Sequence, residues 1–504
     1  MIETILLITT SVLVYFIVKV VFPPWSFPKN IPTIPFYVTF LGTFFDLDQE
    51  DIFELYLRKP MEKYGAVKIY FGSRWNILIS QPELLAQIFK DEDTFAKSGN
   101  QKKIPYSVIA AYTGENVISA HGELWKLFRR TIMPGLQFFD YSPISKNAKS
   151  FCSLISDKLV VPIVPNELSV EKQLIHRKTG TIRMPELIQK LTLANITEVA
   201  LGFNMGVLTD QNCELHLRLK NVKAHIFKSL YLNFPFLDKF PIPSRQRVRA
   251  EVEDFRRQLM DEVQRNMVEN YNYEQTSFAS SDLIRGFKKG ELTRSQLVDN
   301  IVIILVAGHE NPQLILTSCF YMLGKYKYNW QERLRREILQ NKDMKLSELP
   351  LMNSFIYECI RMYPPLSQII NRLTSNICVL GRDIVIPKDT YVGYNVYGTG
   401  RLKSVWGPTA NLFKPERWGT TINEIMSEWK HKKNSCAMSA FHGGRRVCLG
   451  EKLALAEVRI TLAEMLKRFE WSLAPGWPEK MTSAGPLCPL NLQLEITELN
   501  ESTS

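Results

Sequence analysis

Ten residues near the C-terminal end, Phe441-His442-Gly443-Gly444-Arg445-Arg446-Val447-Cys448-Leu449-Gly450, constrain the fold more than any other stretch of this chain. Glycines and arginines surround a single cysteine, and the apolar run Leu453-Ala454-Leu455-Ala456 follows at once. The pattern predicts a tight loop that feeds the first turn of a helix. A thiol placed there, beside guanidinium groups and a helix N-terminus, is pulled toward thiolate, the form that binds metal. Gly443, Gly444 and Gly450 let backbone approach a flat, bulky ligand, and Phe441 can pack on its face. A lone cysteine in a glycine turn is usually only a small packed side chain, so the case for a ligand rests on these neighbours taken together.

Such a loop needs a large domain behind it, and the chain has the material. Its 504 residues are 45% hydrophobic and 22% charged, enough for a substantial core and far from a disordered composition. No linker divides them, which predicts one large domain. The eight cysteines show no C-x-x-C pair and no regular spacing, so free thiols in a reducing compartment are expected. A net charge of +11 suits an anionic membrane surface or an acidic protein partner. No nucleic-acid motif accompanies it.

The run from Ile5 to Phe22 is apolar except for Lys19, close to the ~17–25 residues that span a bilayer. Glu3 ahead of it and the absence of a small-residue cleavage site argue against a cleaved signal peptide. Lys19 and Lys29 lie on its C-terminal side, which keeps the bulk of the protein cytosolic. Residues 1–22 are therefore expected to be a single-pass anchor. Residues 23–35, with five prolines, form a stiff hinge in which Trp25 and Phe27 meet the membrane interface. The catalytic domain is expected over 36–504.

Within it, alternation in Val67–Phe71 and Trp75–Ile79 predicts a β-hairpin, and 385–392 reads as another. The region 135–290 is mostly amphipathic helix. Trp125 and Arg129 stand at i and i+4 of a basic helix and project from one face. Thr293-Arg-Ser-Gln296 is a capping box that opens a long apolar helix reaching about Tyr326. Inside it, Gly308 thins the helix and Pro312 is expected to perturb it, freeing the Gly308 carbonyl for a ligand or water. Glu310 and Asn311 are out of place in an apolar helix unless they have work there. Glu358 and Arg361, at i and i+3, precede a Pro364-Pro365 pair, and Phe413-Lys-Pro-Glu-Arg417-Trp418 follows.

Taken together these stretches resemble the cytochrome P-450 family: F-x-x-G-x-R-x-C-x-G is met at Phe441, Gly444, Arg446, Cys448 and Gly450, and E-x-x-R and P-E-R-W follow the family order. The resemblance implies a mainly α fold with small β-sheets and a haem (iron protoporphyrin IX) held by Cys448 as axial thiolate, the ligand type of oxygen activation. It implies haem contacts from Trp125, Arg129, Arg372, Phe441 and Arg446, and a structural triad of Glu358, Arg361 and Arg417. The family pattern at the long helix is A/G-G-x-D/E-T, a proton relay. Ala307, Gly308 and Glu310 match, while Asn311 departs from it and puts a carboxamide where a hydroxyl is usual.

No G-x-G-x-x-G follows a strand, so electrons must come from NADPH through a separate reductase, with Lys126, Arg130, Lys430, Lys432 and Lys433 as a basic docking face. Residues 95–106, 307–312 and 485–491 further resemble dityrosine-forming members of the family, which couple N-formyltyrosine for the spore wall. That resemblance implies an endoplasmic reticulum membrane enzyme of sporulation. A substrate of this kind carries a carboxylate, for which Lys102 or Lys103 is a candidate partner. Two other readings stand beside it: a monooxygenase hydroxylating a lipid or another apolar small molecule, and a non-enzymatic haem sensor. Glu310 favours an enzyme, because a gas sensor has little use for a proton relay.

Overall fold

The computed structural model describes residues 2–161, 177–210, 212–269 and 278–499. Most of the chain is helical, arranged around one long helix, Arg294–Lys325, with a five-stranded sheet to one side. The long helix starts where the sequence predicts: Thr293 accepts from the Gln296 N–H, and Gln296 returns the bond to the Thr293 backbone. Its apolar run is buried against helices on both sides, so it is a core helix despite being long enough to cross a bilayer. Pro312 lies within it, yet the helix is continuous to Lys325. Pro312 has no N–H to return to the Gly308 carbonyl, but packing on both flanks, chiefly against the Met184–Ile196 helix, carries the helix through it without a break.

The five-stranded sheet comprises β1 (Ala66–Phe71), β2 (Arg74–Ile79), β3 (Phe95–Lys97), β4 (Gln368–Thr374) and β5 (Tyr391–Asn395), in the order β1-β2-β5-β4-β3. Gly72 and Ser73 both take positive φ, 58° and 60°, the conformation that a tight two-residue hairpin turn demands. β2 runs parallel to β5, and the remaining pairings are antiparallel. The second expected hairpin does not form. Ile384–Ile386 pairs with Cys378–Leu380 in a separate two-stranded sheet, while Tyr391–Asn395 joins the large one, so the residues on either side of Pro387 enter different sheets while sharing one apolar cluster.

The helix Ile2–Val21 has most of its described apolar side chains exposed and touches the domain only near its end, where Val20 packs on the sheet's cluster and Trp75 Nε1 donates to Lys19 O (3.2 Å); Glu3–Val21 has a mean hydropathy of 2.3, enough by length and composition to cross a membrane. The proline-rich segment after it is not a free spacer. Phe27, Ile31 and Ile34 are buried against the sheet, and Lys68 donates to the Pro28 carbonyl. Trp25 is 91% exposed whereas Phe27 is 7% exposed, so only Trp25 is placed for an interface. All eight cysteines are free.

Candidate active site

Cys448 sits in the loop between the short turn Gly444–Arg446 and the helix Glu451–Arg468. Its N–H donates to the Phe441 carbonyl (2.9 Å), which closes the loop on itself. The loop is pinned to the Gly122–Gln137 helix at two carbonyls: Arg129 Nη1 donates to Val447 O (3.0 Å) and Gln137 Nε2 to Leu449 O (2.9 Å). Glycine is required at two places here. A Cβ on Gly443 would lie 2.5 Å from the Phe89 ring, and Gly444 has φ of 59°. The protein alone does not favour the thiolate. Burial pushes the Cys448 thiol up, and the Gly450 N–H, Lys433 and Arg129 only partly pull it back. A bound metal cation would supply the missing charge and hold the Cys448 sulfur as thiolate.

Cys448 opens onto a cavity of about 260 Å³. One end of it is cationic. Arg446 stacks 3.8 Å over the Trp125 ring, binds Glu92 through Nε (3.0 Å) and donates Nη1 to Ala120 O (3.0 Å). Arg372, from β4, is buried beside it and donates to Phe95 O (3.2 Å). Lys97 and His442 also line this end, and the Tyr394 hydroxyl bonds His442 Nδ1. Against this set Glu92 is the one carboxylate in contact among the described residues, paired with Arg446 and 4.0 Å from Arg372. Arg446 Nη2 and Arg372 Nε are buried without a hydrogen-bond partner among the described residues. Buried cations with unpaired donors demand anions. These residues fit a haem: its two propionates would meet the orphan donors, its face would lie on the loop at Phe441, and Cys448 would take the iron.

The remaining wall is apolar. The long helix contributes Ile303, Ile304, Ala307, Gly308, Asn311, Pro312 and Ile315, and Val117, Ile196, Leu366 and Ile369 face them. Among the described residues no carboxylate lines it. Glu310 is turned away and pairs with Lys223 of the Glu214–Ile226 helix (2.7 Å), so it has no direct access to a cavity ligand. Asn311 is on the wall, with Nδ2 reaching back to Ala307 O (3.4 Å). The bare face of Gly308 serves packing: a Cβ there would meet Ile196 at 2.2 Å. Lys102 and Lys103 do not reach the cavity. Lys102 is exposed, and Lys103 Nζ lies 4.8 Å from the centre of the Tyr391 ring, pushed down to about 7 by burial and by Arg74.

Behind the loop, Arg361 and Arg417 converge on Glu358. Arg361 binds both carboxylate oxygens at 2.8 Å, Arg417 binds one at 2.9 Å, and Trp418 Nε1 adds a bond at 3.2 Å. On the cysteine side, Lys433 is held by Glu451 (2.5 Å) and Lys432 by Glu428 (3.4 Å), while Lys126 pairs with Glu123 (2.6 Å). Lys430 and Arg130 are exposed and make no ion pair among the described residues. The expected basic face therefore shrinks to fewer free charges. Lys97 and His442 lie inside stretches that the sequence singles out, but at positions no pattern fixes, and only the pairing of β3 with β4 brings Lys97 beside Arg372.

The cytochrome P450 family model matches residues 32–495. The chain is 55% identical over 493 residues to Cytochrome P450-DIT2 of Saccharomyces cerevisiae, covering 98% of both chains. It is 37% identical over 475 residues to Cytochrome P450 monooxygenase xanG of Aspergillus fumigatus, covering 91% of this chain and 85% of that one. It is 23% identical over 470 residues to Cytochrome P450 94A1 of Vicia sativa. The thiol loop and the cationic cradle thus have a family to answer to, and the chain belongs to the cytochrome P450 family, as a haem-dependent oxidoreductase.

Proposed function

We propose that the chain couples two molecules of N-formyl-L-tyrosine into bisformyl dityrosine for the spore wall. The electrons come from NADPH through a separate reductase, at the endoplasmic reticulum membrane, with residues 1–22 as anchor and the catalytic domain cytosolic. The haem, held by Cys448 with Trp125, Arg129, Arg372, Phe441 and Arg446 around it, supplies the oxidising chemistry. The reaction balances as two substrates, one O2, one NADPH and one proton giving the dimer, two waters and NADP+. Each phenol loses one hydrogen, and the new bond is carbon to carbon.

The observation that carries this reading is the resemblance of residues 307–312 on the long helix to dityrosine-forming enzymes, in a chain 55% identical to the yeast relative over 98% of both chains. On the wall of that helix Asn311 is the one polar side chain, and Glu310 is withdrawn to Lys223. A carboxamide can hold a water and donate from Nδ2, but it supplies no proton of its own. Coupling and insertion place the same proton demand on the cleavage of dioxygen, because the phenol hydrogens enter only the second water. The role left for Glu310 is indirect: it can feed protons only through water after leaving Lys223. The resemblance of residues 95–106, 307–312 and 485–491 to dityrosine-forming enzymes supports the same substrate, as does 55% identity to the yeast relative. The apolar wall favours one competing reading, insertion of oxygen into an apolar small molecule. Reconstitution with reductase, NADPH and N-formyltyrosine separates them: the coupling reading expects two tyrosines consumed per NADPH, and one substrate per NADPH contradicts it.

A further inference from the structure

Behind the Cys448 loop lies a cluster of oxidisable rings that the chemistry of the cavity does not use. Phe441, at the start of the loop, packs against Trp429 of the Ile422–Asn434 helix with ring centres 6.2 Å apart. Trp429 stacks on Tyr357 at 4.0 Å and 14°, and lies 5.6 Å from Trp418, with Trp406 a further 5.5 Å on. All four oxidisable rings are buried.

They differ in how readily they give up an electron. Trp406 has two cations over its face, Arg361 at 5.1 Å and Lys432 at 4.9 Å, and the carboxylate that Trp418 Nε1 meets is Glu358, already shared by two arginines. Positive charge close by opposes the formation of a ring cation. Over Trp429 the one cation among the described residues is Lys433, at 5.8 Å, and Trp429 Nε1 donates to Glu451 (3.2 Å), which Lys433 also binds. A carboxylate on an indole N–H is held more strongly as the ring turns positive, and the near-parallel stack with Tyr357 spreads that charge over two rings. Trp429 is therefore the ring of this cluster best placed to be oxidised.

The same pair faces a second groove, which the long helix does not reach. Trp429, Tyr357, Val447 and Cys448 line it together with Lys430 and Lys452, both exposed. Glu451 is its one carboxylate among the described residues, so the groove attracts small anions.

We propose that Trp429, with Tyr357 stacked on it, is an electron relay through which a small anionic reductant in this groove is oxidised by hydrogen peroxide at the haem. This is a peroxidase activity separate from the chemistry of the cavity, and it disposes of peroxide released when turnover fails to couple. With ascorbate as the reductant, one hydrogen peroxide and two ascorbate monoanions give two waters and two ascorbyl radicals. The O–O bond breaks at the haem. Each ascorbate loses one electron and one proton, the electron passing through Trp429 and the proton ending in water. The inference rests on haem at Cys448 and not on the N-formyltyrosine reading, so the two fail separately.

The test uses the haem-loaded full chain with hydrogen peroxide, in the absence of substrate and reductase, and reads ascorbate oxidation, the lifetime of the haem absorbance and peptide masses. Without ascorbate, wild-type protein is expected to gain oxygen at Trp429 before any residue of the long helix. With ascorbate that mark should disappear and the haem should last longer, an effect that weakens as salt rises. W429F keeps a ring against Phe441 but not an oxidisable one, and it should retain haem while losing both ascorbate oxidation and protection. W429Y restores an oxidisable ring and should recover part of both. Ascorbate oxidation and haem lifetime equal in wild type and W429F overturn the relay, as does wild-type oxidation confined to the cavity wall. Should both variants load haem poorly, the wild-type peptide masses decide alone.

Discussion

At the cysteine end of the cavity almost every group is tied to another: Arg446 to Glu92 and Trp125, the loop carbonyls to Arg129 and Gln137, Glu358 to two arginines. Along the long helix the same cavity is bounded by Ile303, Ile304, Ala307 and Ile315, with one carboxamide. The first region is over-determined and holds a cofactor whose shape never changes. The second is smooth and selects by volume and by a few polar contacts, so it is where relatives of one family can diverge. Substitutions at the two ends should fail in different ways, and that difference can be pushed.

The largest effect is expected at the sulfur. Cys448→Ser should abolish the thiolate-type spectrum of the reduced carbon monoxide complex, and survival of that spectrum would erase the distinction between the two ends. Next comes the triad behind the loop. Glu358→Gln leaves Arg361 and Arg417 short of charge in a fully buried site and should cost about 3–5 kcal/mol, read as lost haem-loaded protein and a lower melting temperature. On the long helix the failure should be in coupling efficiency. Asn311→Ala should cut product formed per NADPH by about tenfold, the balance appearing as peroxide, with substrate affinity nearly unchanged. An equal loss of haem in that variant would collapse the comparison.

A smaller effect concerns pH. His309, on the long helix, is fully buried with Nδ1 bonded to Leu305 O (2.6 Å), and burial pushes its imidazole down to about 4. The unfolded chain therefore binds a proton more readily than the folded one. The contribution of neutral His309 is complete above the ordinary histidine value near 6.5, and it is lost as pH falls from there toward 4. His309→Leu should flatten thermal stability across that window by up to ~1.4 kcal/mol per pH unit, and an unchanged slope would show that His309 does not titrate with unfolding. Smallest of all is docking: Lys430→Glu should raise the apparent KM for reductase about twofold at low salt and less at high salt, whereas Lys432 and Lys433, already paired, should matter less.

The sequence carried the over-determined end well, because each residue there is fixed by a contact that only one residue type makes. Cys448, Glu358 and the capped start of the long helix were all legible from spacing. What spacing could not carry was direction. Glu310 and Asn311 are adjacent, yet one faces Lys223 and the other the cavity, a difference of about 100° around the helix. Pro312 suggested a perturbation, yet packing carries the helix straight through it. Lys102 and Lys103 looked close to a substrate, but the short helix Asn100–Lys103 carries them off the wall, and the lysine on it is Lys97.

The central claim is that this cysteine end, joined to this wall, joins two phenols and does not insert oxygen. It is tested most directly by turning over N-formyl-L-tyrosine under labelled dioxygen with reductase and NADPH, and weighing the product. The account predicts a carbon–carbon dimer lacking two hydrogens, free of labelled oxygen, with all of the label in water. A product of monomer mass plus one labelled oxygen atom would contradict it.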